Sequence, residues 1–173
     1  MSDELVTETI SELRTIANYQ FGAGAGMALF PPGSADTVTI RWSTGGRPRQ
    51  VLVSTGRLVS FGTDGRFTLG LVGGRRLVHT LSSPTARVIV GEESDRFIRA
   101  GRNVFAKFVR TVDPAIRPKD DLVVVRSDDT VLGVGKAKLS AEGMRDFETG
   151  MAVSIRDSVG EEVDEQPKES PTE

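Results

Sequence analysis

The chain has 173 residues, of which 38% are hydrophobic, and this suffices for one or two small domains with ordinary cores. It contains no cysteine, which excludes disulfides, thiolate zinc sites and cysteine nucleophiles. No apolar run approaches the roughly 20 residues of a membrane span. The acidic start Met1-Ser-Asp-Glu-Leu5 is unlike a signal peptide, so we expect a cytoplasmic protein.

Charge is unevenly distributed behind the formal net charge of −2. Residues 1–12 carry four acids and no base, and residues 157–173 carry seven acids and one base. Residues 13–156 therefore carry a net charge of +8, from 21 bases and 13 acids. A basic body between acidic ends suits a polyanionic partner, and ordinary charge scatter on a solvated surface is the alternative.

The first part of the chain predicts one helix followed by short strands. Apolar residues at helical spacing predict a helix over residues 4–20 that Thr7 could cap and that ends near Gly22. Turn signals at Thr55-Gly56 and Asp64-Gly65 predict two hairpins. The expected strands are 37–42, 50–54, 57–61, 67–71 and 86–90, and a short helical segment is expected over 75–81.

A polar break at residues 91–94 predicts a domain boundary, which we place between residues 92 and 93. The second domain, residues 93–157, should contain five or six short strands and one or two small helices, one of them capped by Ser140. Residues 158–173 are acidic and poor in large apolar side chains, which predicts a disordered tail. The expected fold class is α+β.

Few residues suggest catalysis or a bound cofactor. The glycine run Gly22-Ala-Gly-Ala-Gly26 follows a helix instead of a strand and does not complete the G-x-G-x-x-G pattern of dinucleotide-binding loops. His79 is the only histidine, and without cysteines it cannot build a standard zinc site. We therefore expect no cofactor, no metal site and no catalytic residues.

Basic side chains interleave with aromatic ones in the second half of the chain. Because arginine and lysine neutralise phosphates and an exposed ring stacks on bases, this pattern predicts RNA binding. If residues 104–110 form one strand, Phe105, Lys107 and Val109 share one face. Phe108 is expected in the core, whereas Phe105 could be core or exposed. The candidate RNA-binding residues are Arg102, Phe105, Lys107, Arg110, Arg117, Lys119, Lys136 and Lys138.

The second half resembles the PUA domain, a small RNA-binding pseudo-barrel. The resemblance is carried by Gly101-Arg-Asn-Val-Phe-Ala-Lys-Phe-Val109, Val131-Leu-Gly-Val-Gly-Lys-Ala137 and Gly150-Met-Ala-Val-Ser-Ile-Arg156. Upstream, the segment from Leu13 to Pro31 is similar to the opening of the domain that precedes the PUA domain in archaeal tRNA-guanine transglycosylase and archaeosine synthase. The resemblance covers roughly residues 8–157. It implies an N-terminal helix packed on a small antiparallel sheet, followed by the PUA pseudo-barrel.

The resemblance also implies a function. The family uses these two modules to grip tRNA during the conversion toward archaeosine, and its catalytic domains have no counterpart in this sequence. One departure is Lys119, where the family usually has a glycine in a tight turn, so lysine either alters that turn or adds a phosphate contact.

Four functions compete at this point. The chain could be a stand-alone RNA-binding protein for tRNA, or a non-catalytic subunit that delivers tRNA to a separate modifying enzyme. It could instead be an enzyme with an unrecognised site near His79 and the loop 22–26, or a structural domain that has lost RNA binding. The basic body favours the first two functions, and the missing catalytic constellation disfavours the third.

Overall fold

The computed structural model describes residues 2–161, which form five α-helices and ten strands. None of the helices in this range combines the length and the apolar character that a membrane span requires. The helices are α1 (Asp3–Phe21), α2 (Ala25–Leu29), α3 (Leu71–Thr80), α4 (Asp95–Arg99) and α5 (Ala141–Asp146). The strands are β1 (Thr39–Trp42), β2 (Pro48–Val53), β3 (Gly56–Phe61), β4 (Phe67–Leu69), β5 (Arg87–Val90), β6 (Val104–Phe105), β7 (Val109–Val112), β8 (Asp121–Val125), β9 (Val131–Ala137) and β10 (Met151–Ser158).

Helix α1 begins earlier than its predicted cap. The Ser2 hydroxyl accepts a hydrogen bond from the Leu5 amide, so Ser2 is the N-cap and Thr7 lies inside the helix. The helix ends at Gly22, as predicted, with φ at 112°. The glycine run that follows is only partly a loop, because Ala25–Leu29 forms the short helix α2.

The first sheet is an antiparallel meander in the order β1-β2-β3-β4, with both predicted hairpins in place. Helix α3 packs against it and begins earlier than the expected segment, so that Gly73 and Gly74 lie within the helix. A Cβ on Gly74 would lie 2.8 Å from Cγ1 of Val134, a residue of the second sheet. The absence of a side chain therefore lets α3 approach both sheets.

The second sheet has six strands in the order β6-β10-β9-β8-β5-β7 and curls into the barrel-like shape expected of a PUA domain. All its pairings are antiparallel except that between β5 and β8. Strand β5 precedes the boundary expected between residues 92 and 93, yet its hydrogen-bond partners β7 and β8 belong to this sheet. The division of the chain at 92/93 stays a prediction, and these pairings favour a division before Arg87.

The last described residues also differ from the sequence expectation. Strand β10 continues to Ser158, and the Val159 amide donates to the Leu132 carbonyl at 3.0 Å. Val159 also packs against the core next to the first sheet. The first residues of the expected tail thus belong to the fold, and residues 162–173 lie outside the described part of the chain.

Strand β8 of the second sheet is buried on both faces and contributes to both cores. Val123 and Val125 pack into the core beside the first sheet, whereas Leu122 and Val124 pack inside the barrel. Because side chains alternate along a strand, one continuous apolar run serves two cores. The two halves are therefore packed against each other through apolar side chains.

An ion pair of the second sheet, with a buried carboxylate, binds the backbone of the first sheet at Leu69. Asp121 at the start of β8 accepts two hydrogen bonds from Arg156 on β10, both at 2.8 Å, and one from the Leu69 amide of β4 at 2.7 Å. Arg156 also donates to the Leu69 carbonyl at 2.7 Å. The Asp121 side chain is 1% exposed, so this carboxylate depends entirely on its protein partners.

Candidate nucleic-acid interface

The segment that carries most of the candidate RNA-binding residues is not one continuous strand. A 3-10 turn, Ala106–Phe108, separates β6 from β7. The prediction that Phe105, Lys107 and Val109 share one strand face is therefore wrong, because the turn breaks the two-residue alternation. The turn is needed because β6 pairs with β10 at one end of the second sheet and β7 pairs with β5 at the other end.

Arg102, Phe105 and Lys107 line one cleft, which we call the aromatic cleft, together with Phe97 and Phe108. The cleft has a volume of about 640 Å³. Phe97 and Phe105 expose 47% and 46% of their surface, so both rings are open to a ligand. The exposed ring of Phe105 settles the alternative that the sequence left open.

Phe108 is half-buried and lies outside the barrel core, contrary to the sequence expectation. The Lys107 ammonium lies 5.2 Å from the centre of its ring, and the Arg96 guanidinium lies 5.2 Å from that of Phe97. Neither Arg102 nor Lys107 forms an ion pair with any of residues 2–161. The cleft therefore combines open aromatic faces with cations that are free to meet phosphates.

Sequence reasoning missed Phe97. The residue stands in Asp95-Arg-Phe-Ile-Arg99, where Phe97 and Ile98 look equally fit for a core. The helix α4 is one turn and a half long, so only one of the two faces the barrel: Ile98 is buried and Phe97 is exposed. The helix is too short for the 3.6-residue period to show whether Phe97 or Ile98 lies on the outer face.

Two candidate residues, Arg110 and Lys138, do not line the aromatic cleft, although the Arg110 guanidinium donates to the Lys107 carbonyl at 3.1 Å. Arg110 forms an ion pair with Glu93, which compensates its charge. Lys138 is exposed and follows the end of β9, and it lines none of the clefts described here. Both residues stay candidates, with less support than Arg102 and Lys107.

The remaining candidates, Arg117, Lys119 and Lys136, lie between the two sheets. Two neighbouring cavities of about 610 and 490 Å³ share the side chains of Gln20, Asp64, Arg66 and Asp121, and we call them together the interdomain cleft. Arg117 lines the first cavity, and Lys119 and Lys136 line the second. The candidate residues therefore form two separate groups instead of one surface.

Lys119 keeps the turn geometry that the sequence put in doubt. Its φ is 80°, in the left-handed region that favours glycine, and its amide donates to the Ala137 carbonyl at 2.7 Å. Few residues with a β-carbon adopt this conformation, which costs about 1–2 kcal/mol. The side chain is exposed and forms no ion pair among residues 2–161.

The region of the competing enzyme hypothesis is a shallow groove beside α2 and α3. His79 is exposed and lines it with Met27, Arg75 and Arg76. Among residues 2–161 one carboxylate lines it, that of Asp129, which accepts a hydrogen bond from buried Arg87 at 3.1 Å. No group of three or more potential metal ligands occurs within residues 2–161. The groove offers His79 no partner of the kind that an acid–base or nucleophilic site needs.

Comparison with known proteins identifies both halves of the chain. Residues 11–84 match the patch-forming domain C2 of tRNA-guanine transglycosylase, and residues 86–159 match the PUA domain. The tRNA-guanine(15) transglycosylases of Pyrococcus furiosus and Thermococcus kodakarensis are 41% and 40% identical over 150 and 145 residues. These alignments cover 86% and 83% of this chain, but 25% and 24% of the relatives. The chain thus spans about a quarter of the length of the curated relatives it matches.

Solved structures support the same fold. A hypothetical protein from Pyrococcus horikoshii superposes with a TM-score of 0.68 at 19% identity, covering 91% of this chain and 92% of that one. A conserved PUA domain protein from Thermoplasma acidophilum superposes with a TM-score of 0.61 at 17% identity, covering 94% and 93%. The chain therefore consists of a transglycosylase-type C2 domain followed by a PUA domain, an RNA-binding fold, and it is homologous to the C-terminal part of the archaeal tRNA-guanine(15) transglycosylases.

Proposed function

We propose that this chain is an RNA-binding protein that recognises tRNA and performs no chemistry itself. In this proposal it acts alone or as a non-catalytic subunit beside a separate enzyme of archaeal tRNA modification, in the archaeosine pathway and in the cytoplasm. The names of the relatives support tRNA as the ligand, since they act on a guanine of tRNA. The matched part of the relatives is their C-terminal part, which supports binding over catalysis.

The aromatic cleft is the observation that carries the proposal. Two half-exposed phenylalanine rings stand beside Arg102 and Lys107, which have no ion-pair partner among residues 2–161. Aromatic faces stack on unpaired bases, and unpaired cations meet phosphates. Single exposed rings and surface cations are ordinary, and it is their grouping in one cleft that points to a ligand.

The test is a binding titration with folded tRNA and with duplex DNA of equal length. We expect tRNA to bind more tightly, because unpaired bases and 2′-hydroxyls are absent from the DNA. Phe105→Ala should weaken tRNA binding by about 5- to 150-fold, since a stacked base is worth about 1–3 kcal/mol. The double change Arg102→Ala and Lys107→Ala should also lower the salt dependence, by about 0.7–0.9 in the log–log slope for each lost phosphate contact.

Arg49→Ala is the matched control, because Arg49 is exposed on β2 and lines neither cleft. It removes one positive charge and should leave affinity and slope nearly unchanged. Equal affinity for tRNA and DNA would refute the proposal, and so would cleft variants that bind like the Arg49→Ala control.

A further inference from the structure

Tyr19 is a tyrosine whose position the fold does not explain. It lies near the end of α1 and is 94% exposed. The next two residues have structural roles: the Gln20 amide donates to the Phe67 carbonyl and accepts from the Phe67 amide, and Phe21 is buried. Tyr19 forms no hydrogen bond through its hydroxyl and no aromatic pair among residues 2–161. Its ring therefore lies in water at the edge of the interdomain cleft.

The interdomain cleft also contains cations. Arg117 lines the same cavity as Tyr19, and Lys119 and Lys136 line the adjoining one. None of the three forms an ion pair with any described residue of the chain. These side chains are exposed, so they can turn toward a polyanion at the mouth of the cleft.

The carboxylates of the cleft already have partners. Asp113 accepts from the amides of Ala86 and Ala115, and Asp121 is held by Arg156. Asp120 accepts from the Arg117 amide and from the Arg66 guanidinium. Asp64, which lines both cavities, accepts from the Arg66 amide at 3.1 Å. Each of the four carboxylates is thus hydrogen-bonded within the fold, while the three cations have no ion-pair partner among the described residues.

Lys119 adds an argument of its own. Its backbone adopts a φ of 80°, which glycine would accept at no steric cost, so the turn itself does not require a lysine. Strained residues of this kind concentrate at sites where the side chain is used. The side chain here is an exposed ammonium on the wall opposite α1.

We propose that the interdomain cleft is a second RNA-contact surface, separate from the aromatic cleft, in which Tyr19 stacks on an unpaired base while Arg117, Lys119 and Lys136 neutralise the adjacent phosphates. The inference rests on the proposed RNA-binding function and extends it to the C2 domain, which supplies the stacking ring. Asp121 and Arg156 both hydrogen-bond the Leu69 backbone of the first sheet, which links the two sheets beside this cleft. Unpaired RNA fits this site better than a duplex, whose bases are already stacked.

The first experiment compares Tyr19→Phe with Tyr19→Ala in full-length protein titrated with folded tRNA. Stacking needs the ring and not the hydroxyl, so Tyr19→Phe should bind within twofold of the wild type. Tyr19→Ala should bind about fivefold or more weakly. Because the chain has a single tyrosine, incorporation of 3-fluorotyrosine gives one ¹⁹F signal, which should shift on addition of tRNA. Tyr19→Ala that binds like wild type, Tyr19→Phe that loses as much as Tyr19→Ala, or an unmoved ¹⁹F signal would each overturn the inference.

The second experiment uses Lys119→Gly, for which folding and binding should respond in opposite directions. Glycine relieves the left-handed backbone, so the thermal midpoint should hold or rise, while tRNA affinity should fall about threefold or more through the lost charge. A variant that is destabilised, or that binds like wild type, would contradict the assigned role. Wild-type protein that fails to bind tRNA would refute the proposed function. If Phe105→Ala weakens binding but Tyr19→Ala and Lys119→Gly do not, the proposed function stands and only this second surface is refuted.

Discussion

Replacing Asp121 by asparagine tests whether one buried carboxylate holds the two sheets together. Asparagine has nearly the same shape and can still accept the hydrogen bond from the Leu69 amide, which the carboxylate receives at 2.7 Å. It removes the negative charge that meets Arg156 in two hydrogen bonds of 2.8 Å. The change therefore isolates the charge from the packing.

The magnitude follows from burial. Removing one partner of a buried ion pair costs about 3–5 kcal/mol, because the other charge is left uncompensated. Arg156 keeps its bond to the Leu69 carbonyl, and its side chain is 30% exposed, so water offsets part of the loss. The Arg57 guanidinium also depends on this carboxylate. Burial, and then the positive charge of Arg156, lower the pKa of Arg57, and the negative charge of Asp121 partly offsets this lowering. Removing the charge of Asp121 therefore adds to the loss of stability. We expect a loss of about 3 kcal/mol in the free energy of unfolding, which is a fall of about 6–12 °C in Tm.

The neighbouring residue provides the control. Asp120→Asn is the same substitution one position earlier, where the carboxylate meets Arg66 at 3.0 Å with side chains 28% and 46% exposed. An exposed pair contributes at most about 1 kcal/mol, so this variant should stay close to wild type. Urea unfolding followed by the fluorescence of Trp42 and by circular dichroism measures both. A loss in Asp121→Asn no larger than that in Asp120→Asn would refute the argument that this buried charge stabilises the contact between the sheets.

Two further predictions concern stability. Gly26→Ala should destabilise the protein by about 1–3 kcal/mol, because a Cβ there would lie 2.5 Å from the backbone oxygen of Arg14 and push α2 away from α1. Gly45→Ala is the control, because a Cβ on Gly45 would lie 3.8 Å from Ser43 Oγ, at an ordinary contact distance, and this variant should stay near wild type in the same urea titration. Equal losses of stability in the two variants would contradict the argument from the close approach at Gly26. The Thr130 amide, the Thr130 side chain and Arg126 lower the pKa of Asp128 to about 2 from 3.8. Since the folded pKa is the lower one, the stabilisation is present above about pH 4 and is lost as the pH falls toward 2. The gap in unfolding free energy between wild type and Asp128→Asn should therefore narrow over that interval, and a gap that is constant from pH 5 to pH 2 would contradict the assignment.

Local patterns were enough to predict the elements whose signals lie within a few residues. The helix over residues 4–20, the hairpins at Thr55-Gly56 and Asp64-Gly65, and the helix capped by Ser140 are all confirmed. Each depends on a hydrogen bond or a backbone angle between near neighbours, which the residue types at those positions decide. The resemblance to transglycosylase C-terminal domains is confirmed as well.

The candidate site was predicted only as a set of residues, since side-chain direction depends on pairing between distant strands. The 3-10 turn after Phe105 separates Lys107 from the strand face that the sequence assigned to it. Phe97 and Ile98 are equivalent in the sequence, and only packing of α4 against the barrel decides that Phe97 stays outside. Tyr19 differs: it lies off the helical stripe of Ile10, Leu13, Ala17 and Phe21, so periodicity indicates its exposure, and only the cleft beside it depends on distant elements.

The sequence by itself determined the local elements, the excess of positive charge in the body and the two families of domain. Only the tertiary structure decided that β8 is buried on both faces, that Asp121 and Arg156 bind the Leu69 backbone of the other sheet, and that six of the eight candidate residues line two separate clefts. The physical reason is the distance along the chain over which each interaction acts. Capping, turns and helical periodicity act over about four residues. Shared cores and ion pairs arise between residues far apart in the chain, whose proximity no local pattern encodes.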